Sequence, residues 1–156
     1  MSAIAQSTTT MRSGWVYRRI MLAYDGSPSG ANGLRQASAL ARLCGAELHI
    51  LGIVPTSGGF AIAQATGGVD VWGMKRQMIE KALAESGMGE ACHGVSHSIT
   101  IREGDPAAEI VAHAQAIKAD VVVMGHSDRS RFSRWFAGST ASTLLQHLPC
   151  SLLIAP

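Results

Sequence analysis

Apolar residues fall along this chain in two kinds of block that take turns. "YRRIMLAYD" (Tyr17 to Asp25) is a short, nearly continuous apolar run stopped by Asp25, Gly26 and Ser27, the pattern of a buried strand that ends in a loop. The next stretch spaces Ala31, Leu34, Ala37, Ala41 and Cys44 at helical intervals, with Ser27 placed to cap, Pro28 in the first turn and Gly45 to close. "ELHILGIV" then reads as a second strand, and Pro55 to Gly68, "PTSGGFAIAQATGG", as a long glycine-rich connection and candidate flap.

The alternation continues to the end of the chain. Asp70 to Ser86 is expected to be a helix with Val71, Met74, Met78, Ala82 and Glu85 on one face, the Met74–Met78 stripe serving core or interface packing. "VSHSITI" alternates as a half-buried strand near a sheet edge. Asp105-Pro106 opens a third helix with Ala107, Ile110, Ala114 and Ile117 inward, and "DVVVMG" has no polar alternation, as a central strand would. Gly138 to His147 forms a fourth helix, Pro149 breaks it, and Ser151 to Ala155 is a last strand. Strict βαβαβαβαβ order implies a single α/β domain: a doubly wound, five-stranded parallel sheet with helices on both faces, binding ligands beyond the carboxyl ends of its strands.

Composition narrows the class. With 47% hydrophobic and 15% charged residues over 156 positions the chain can bury a core, and no apolar run approaches the ~18 residues of a membrane span. A net charge of +2 argues against a nucleic-acid binder. Three widely spaced cysteines, Cys44, Cys92 and Cys150, suit a reducing cytoplasm. Residues 1–14 lack a secretory pattern and read as a disordered tail, leaving 15–156 as the domain. Cys92, His93 and His97 do not make a metal set, because four residues of strand separate the histidines by about 13 Å.

The segment after the fourth strand, "GHSDRSRFSRWFAGSTAS", is the most distinctive. It holds no P-loop, since it has no lysine, and Gly26, Gly30 and Gly33 after the first strand do not match the dinucleotide fingerprint G-x-G-x-x-G. What remains is Gly125, twelve further residues, and Gly138-Ser139 at a helix start, where free backbone N–H groups and the helix dipole favour a phosphate. Singly, Asp25 also fits an ordinary turn acid, Gly138-Ser139 an ordinary helix start, and the loop arginines a solvated face.

Together, "IMLAYDGSPSG", "ILGIV", "VVVMG", "RSRFSRWFAGS" and "LPCSLLIAP" resemble the universal stress protein family over about Tyr17 to Ala155, with its signature G-x2-G-x9-G-[ST]. The resemblance implies strand order 3-2-1-4-5, with the switch point between strands one and four. It also implies an adenine-nucleotide site, with ATP preferred. Asp25 and the backbone around Ala23 and Tyr24 would contact adenine and ribose, and Ile53 would wall the adenine. Met124 and Gly125 would line the pocket, while Gly138, Ser139 and Thr140 would hold phosphates. A homodimer through Ser151 to Ala155 is expected, both by resemblance and because a short apolar edge strand needs covering.

One position departs from the signature: Asp128 stands where the family has its second glycine. A carboxylate ~4 Å from a phosphate costs about 4 kcal/mol at an effective dielectric near 20, roughly a thousandfold in affinity. Mg2+ bridging Asp128 to the phosphates would offset this, as would Arg129, Arg131 or Arg134 swinging in. Two functions follow: a stress-response regulator switched by ATP, or a dimeric interaction protein in which Asp128 has abolished nucleotide binding. No catalytic residue is assigned, and any activity would be at most slow ATP hydrolysis.

Overall fold

The computed structural model describes residues 17–56, 70–126 and 139–156. The expected tail, the Pro55–Gly68 connection from residue 57 onward, and Asp128, Arg129, Arg131, Arg134 and Gly138 lie outside them. Five parallel strands form one sheet in the order β3-β2-β1-β4-β5, as expected. They are β1 (Arg19–Tyr24), β2 (Glu47–Pro55), β3 (His97–Gly104), β4 (Val121–Gly125) and β5 (Ser151–Ala155). Helices α1 (Pro28–Cys44), α2 (Val71–Glu85), α3 (Met88–Ala91), α4 (Pro106–Ile117) and α5 (Ser139–His147) fill the connections.

β4 throughout and β1 after Arg19 are buried and almost wholly apolar because both of their faces are covered. Even-numbered β1 residues, Ile20, Leu22 and Tyr24, join a core layer with Leu34, Ala37 and Ala41 of α1 and Ile79 and Leu83 of α2. Odd-numbered Met21 and Ala23 join the opposite layer with Leu51 and Ile53, Ile110 and Ala114 of α4, and Leu144 of α5. Strand period two thus divides one run between two cores.

The helix starts are capped as their sequences require. Ser27 Oγ accepts from the Gly30 N–H and Asp105 Oδ1 from the Ala108 N–H, at 3.3 and 3.0 Å, each directly before a first-turn proline. Gly45 closes α1 in the left-handed region at φ 64°, and Lys118 closes α4 there at φ 52° without being glycine. Among the described residues no helix is long and apolar enough to cross a membrane.

Two expectations need correction. The four-residue helix α3 interrupts the simple alternation. On α2, the Met74–Met78 stripe, expected to serve core or interface packing, is not core: Met74 is 56% and Met78 64% exposed, while Ile79 and Leu83 are buried and Trp72 and Ala82 partly so. The true stripe passes through Lys75, whose aliphatic stem can lie along apolar surface while its charge stays outside, and this disguises the inward face. α2 seats on β2 at Gly52, where a Cβ would come within 2.9 Å of Ile79 Cγ2.

At the sheet's β3 side, His113 of α4 is buried and its Nδ1 has no hydrogen-bond partner. Burial, then the charges of Arg102 and His49, hold its pKa below the usual 6.5. The unfolded chain therefore takes up this proton first on acidification. The stability that neutral His113 contributes is complete above pH 6.5 and declines as the pH falls toward the lowered folded value. Melting temperatures of the wild type should drop between pH 7 and 5, and those of His113→Gln should drop less over the same interval; equal slopes would remove His113 as the cause.

Candidate functional site

β1 stops at Tyr24, and the chain turns at once into α1 through Asp25, Gly26 and Ser27. Gly26 takes φ +79°, which glycine adopts without strain. Asp25 is only 4% exposed. Its Oδ1 accepts from the Ser27 N–H at 2.9 Å and from Ser27 Oγ at 2.5 Å, a local turn of the kind short polar side chains favour. Its Oδ2 is buried and has no hydrogen-bond partner among the described residues. An unsatisfied buried carboxylate oxygen is costly, so this one is suited to receive a donor from outside the chain.

Tyr24 holds the same corner from below. Its ring lies so close to α1 that a Cβ on Gly30 would stand 2.7 Å from it. Burial pushes the Tyr24 hydroxyl pKa up; a hydrogen bond with the Ser86 side chain opposes this, and the charge of Asp25 adds to it. The hydroxyl stays protonated at the β1 end.

Gly125 ends β4 beside the first turn of α1. A Cβ built on it would lie 1.9 Å from the Ser29 carbonyl oxygen, and one on Gly33 would lie 2.9 Å from the Gly125 nitrogen. Only glycine fits between these backbones. The contact brings Asp25 and the β4 end together at the switch point, where β2 and β4 leave β1 in opposite directions.

Beside Asp25 opens a cavity of about 420 Å3, within the size range of small-molecule sites. Asp25, Gly26, Ile53, Val54 and Pro55 line it from the strand ends, and Lys75, Met78, Ile79, Lys81, Ala82 and Glu85 from α2. Of the expected residues, Asp25 and Ile53 therefore share one cavity. Met124 does not line it; its side chain is buried in the opposite core layer with Ala23. Gly125 instead packs against α1, and Ser139 and Thr140 open α5. The α2 wall was not expected, although the misplaced Met74–Met78 stripe was its trace in the sequence. Among the described residues no cluster of three or more His, Cys, Asp or Glu side chains is arranged to hold a metal ion. Asp128, the expected cation partner, lies outside them.

Fold and cavity together define a doubly wound α/β protein with a ligand-sized cleft at its strand ends. The model of the "Universal stress protein family" matches residues 16–156. The chain belongs to that family. A solved structure of a universal stress family protein from Burkholderia pseudomallei is 26% identical, with 90% of this chain and 96% of that one covered and a TM-score of 0.66. A universal stress protein in complex with cAMP is 18% identical, with 90% and 98% covered and a TM-score of 0.60. The Archaeoglobus fulgidus protein in complex with dAMP is 20% identical, with 91% and 100% covered and a TM-score of 0.52.

The closeness of Gly125 to Ser29 yields a direct test of this corner. Gly125→Ala places a methyl group against a backbone oxygen that cannot move without shifting α1, so it should cost about 1–3 kcal/mol or more in urea denaturation. A loss below about 0.5 kcal/mol, the range of ordinary surface changes, would contradict the close approach.

Proposed function

We propose that this stress protein binds an adenine nucleotide, ATP by preference, at the switch-point crevice, and acts in the cytoplasm as a regulator rather than an enzyme. The observation that carries the reading is Asp25 Oδ2, a buried carboxylate oxygen without a partner among the described residues, at a cavity otherwise walled largely by apolar atoms. Adenine and ribose supply the edge donors such an oxygen needs, and Ile53 and Val54 supply apolar surface for a ring. The cAMP and dAMP complexes of related proteins support it, since both ligands carry an adenine base. Backbone at Ala23 and Tyr24 would complete the base and ribose contacts. Through their backbone at the end of β4, Met124 and Gly125 would border them, and Gly138, Ser139 and Thr140 would take the phosphates at the start of α5. Asp128 and Arg129 would set the charge there, Asp128 through Mg2+.

Calorimetric titration of ATP into the nucleotide-free protein tests this. Micromolar binding is expected, weakened about ten-fold or more by Asp25→Ala, the loss expected when a hydrogen bond to a charged group is removed. An unchanged affinity in a folded Asp25→Ala protein would overturn the assignment. Asp128 in the place of the motif glycine favours one second reading, a dimeric interaction protein that no longer binds nucleotide. That reading gains if ATP binds only to Asp128→Gly. It loses if the wild type binds in the presence of Mg2+.

We further propose a homodimer through β5. This uncharged strand forms one edge of the sheet, with Leu153 37% and Ile154 38% exposed and Leu145 of α5 65% exposed nearby in sequence. Two-fold pairing would cover the edge and its apolar side chains. Sedimentation should give a dimer that Ile154→Lys converts to monomer; a wild-type monomer at tens of micromolar would exclude it.

A further inference from the structure

The cavity's second wall belongs to α2, an element to which the nucleotide reading assigns no role. Ile79 fixes that helix on Gly52, so the residues beside it are held at a set height over the ends of β1 and β2. Met78 is one of these. It lines the cavity although it is 64% exposed, whereas Met74, one turn earlier and 56% exposed, does not line it.

The same helix thus carries two exposed methionines in different situations. Met74 lies outside the cavity lining; Met78 borders a cleft whose strand-end wall is Ile53, Val54 and Pro55, beside a buried carboxylate oxygen that lacks a partner among the described residues. A thioether is polarizable, adapts its shape through three rotatable bonds and packs favourably on aromatic rings. Aliphatic surface on one side, a thioether on the other and an acceptor at the end make a slot for a planar nitrogen heterocycle with a donor on its edge.

We propose that Met78 is a base-contacting residue, its thioether packing on the bound adenine ring and closing the slot from the α2 side. The inference rests on the adenine-nucleotide reading and adds to it a contact from an element outside the strand-end and glycine-containing segments. Ile79 would act only as a positioning residue, through its seat on Gly52.

The test uses the full chain with methionine methyls labelled with carbon-13, titrated with ATP, with Met74→Ala and Met78→Ala serving to assign the two signals. The Met78 methyl should move upfield under the ring current of the base while the Met74 methyl stays in place. By calorimetry, Met78→Ala should weaken ATP by up to about ten-fold. Met74→Ala should leave it unchanged, and Met78→Leu should retain most of the affinity. Because Met78 is largely exposed, its variants should melt like the wild type. If ATP binds and shifts other methyls but neither the Met78 signal nor the Met78→Ala affinity changes, the Met78 contact is wrong and the nucleotide reading survives. If ATP shifts no signal and releases no heat, both are overturned.

Discussion

The corner on which the site depends is a contact between two stretches of backbone. Gly125 at the end of β4 lies so close to the Ser29 carbonyl that even a methyl group is excluded, and Gly33 admits the Gly125 nitrogen by the same economy of volume. That approach pins the first turn of α1 across the two strands that part at the switch point. Ser27 and Pro28, which cap and start the helix, are thereby fixed beside Asp25, and the Asp25 carboxylate is held rigid before any ligand arrives. Preorganisation of this kind spares a ligand the cost of ordering its own acceptor.

Asp25 uses its two oxygens differently. Oδ1 serves the fold, accepting from the Ser27 backbone and hydroxyl and so holding the turn into α1. Oδ2 has no hydrogen-bond partner among the described residues. A carboxylate needed only for the turn would do better with its second oxygen in water; burying it beside an apolar cavity costs stability and is repaid when a donor arrives. The shape of the cavity comes from the other side, where Ile79 rests on Gly52 and carries the outward face of α2 over the strand ends.

Much of this was legible in the sequence because it is local. Short apolar runs, one alternating segment and period-3.6 spacing marked the five strands and the four longer helices, and the Ser27-Pro28 and Asp105-Pro106 pairs marked helix starts that the caps confirm. Asp25 was legible as a residue at a strand end and Ile53 through the family resemblance, and they share the cavity. What was lost depends on contacts distant in sequence. The inward face of α2 was missed because Lys75 interrupts the stripe through Trp72 and Ile79, while Met74 and Met78 looked like core or interface packing. The four residues of α3, flanked and interrupted by Gly87 and Gly89, are too few to show a helical period. No local pattern could reveal that Oδ2 lacks a partner, nor that an α2 side chain would border the ligand cavity, since both follow from how α1 and α2 land on the sheet.

The measurement that tests the account most directly is a crystal structure of the protein grown with ATP. The account predicts the adenine in the cavity between Ile53 and α2, with Asp25 Oδ2 accepting a hydrogen bond from the base or ribose and the phosphates directed toward the start of α5. An ATP molecule bound elsewhere, or bound in the crevice with Oδ2 still unpaired, would contradict it.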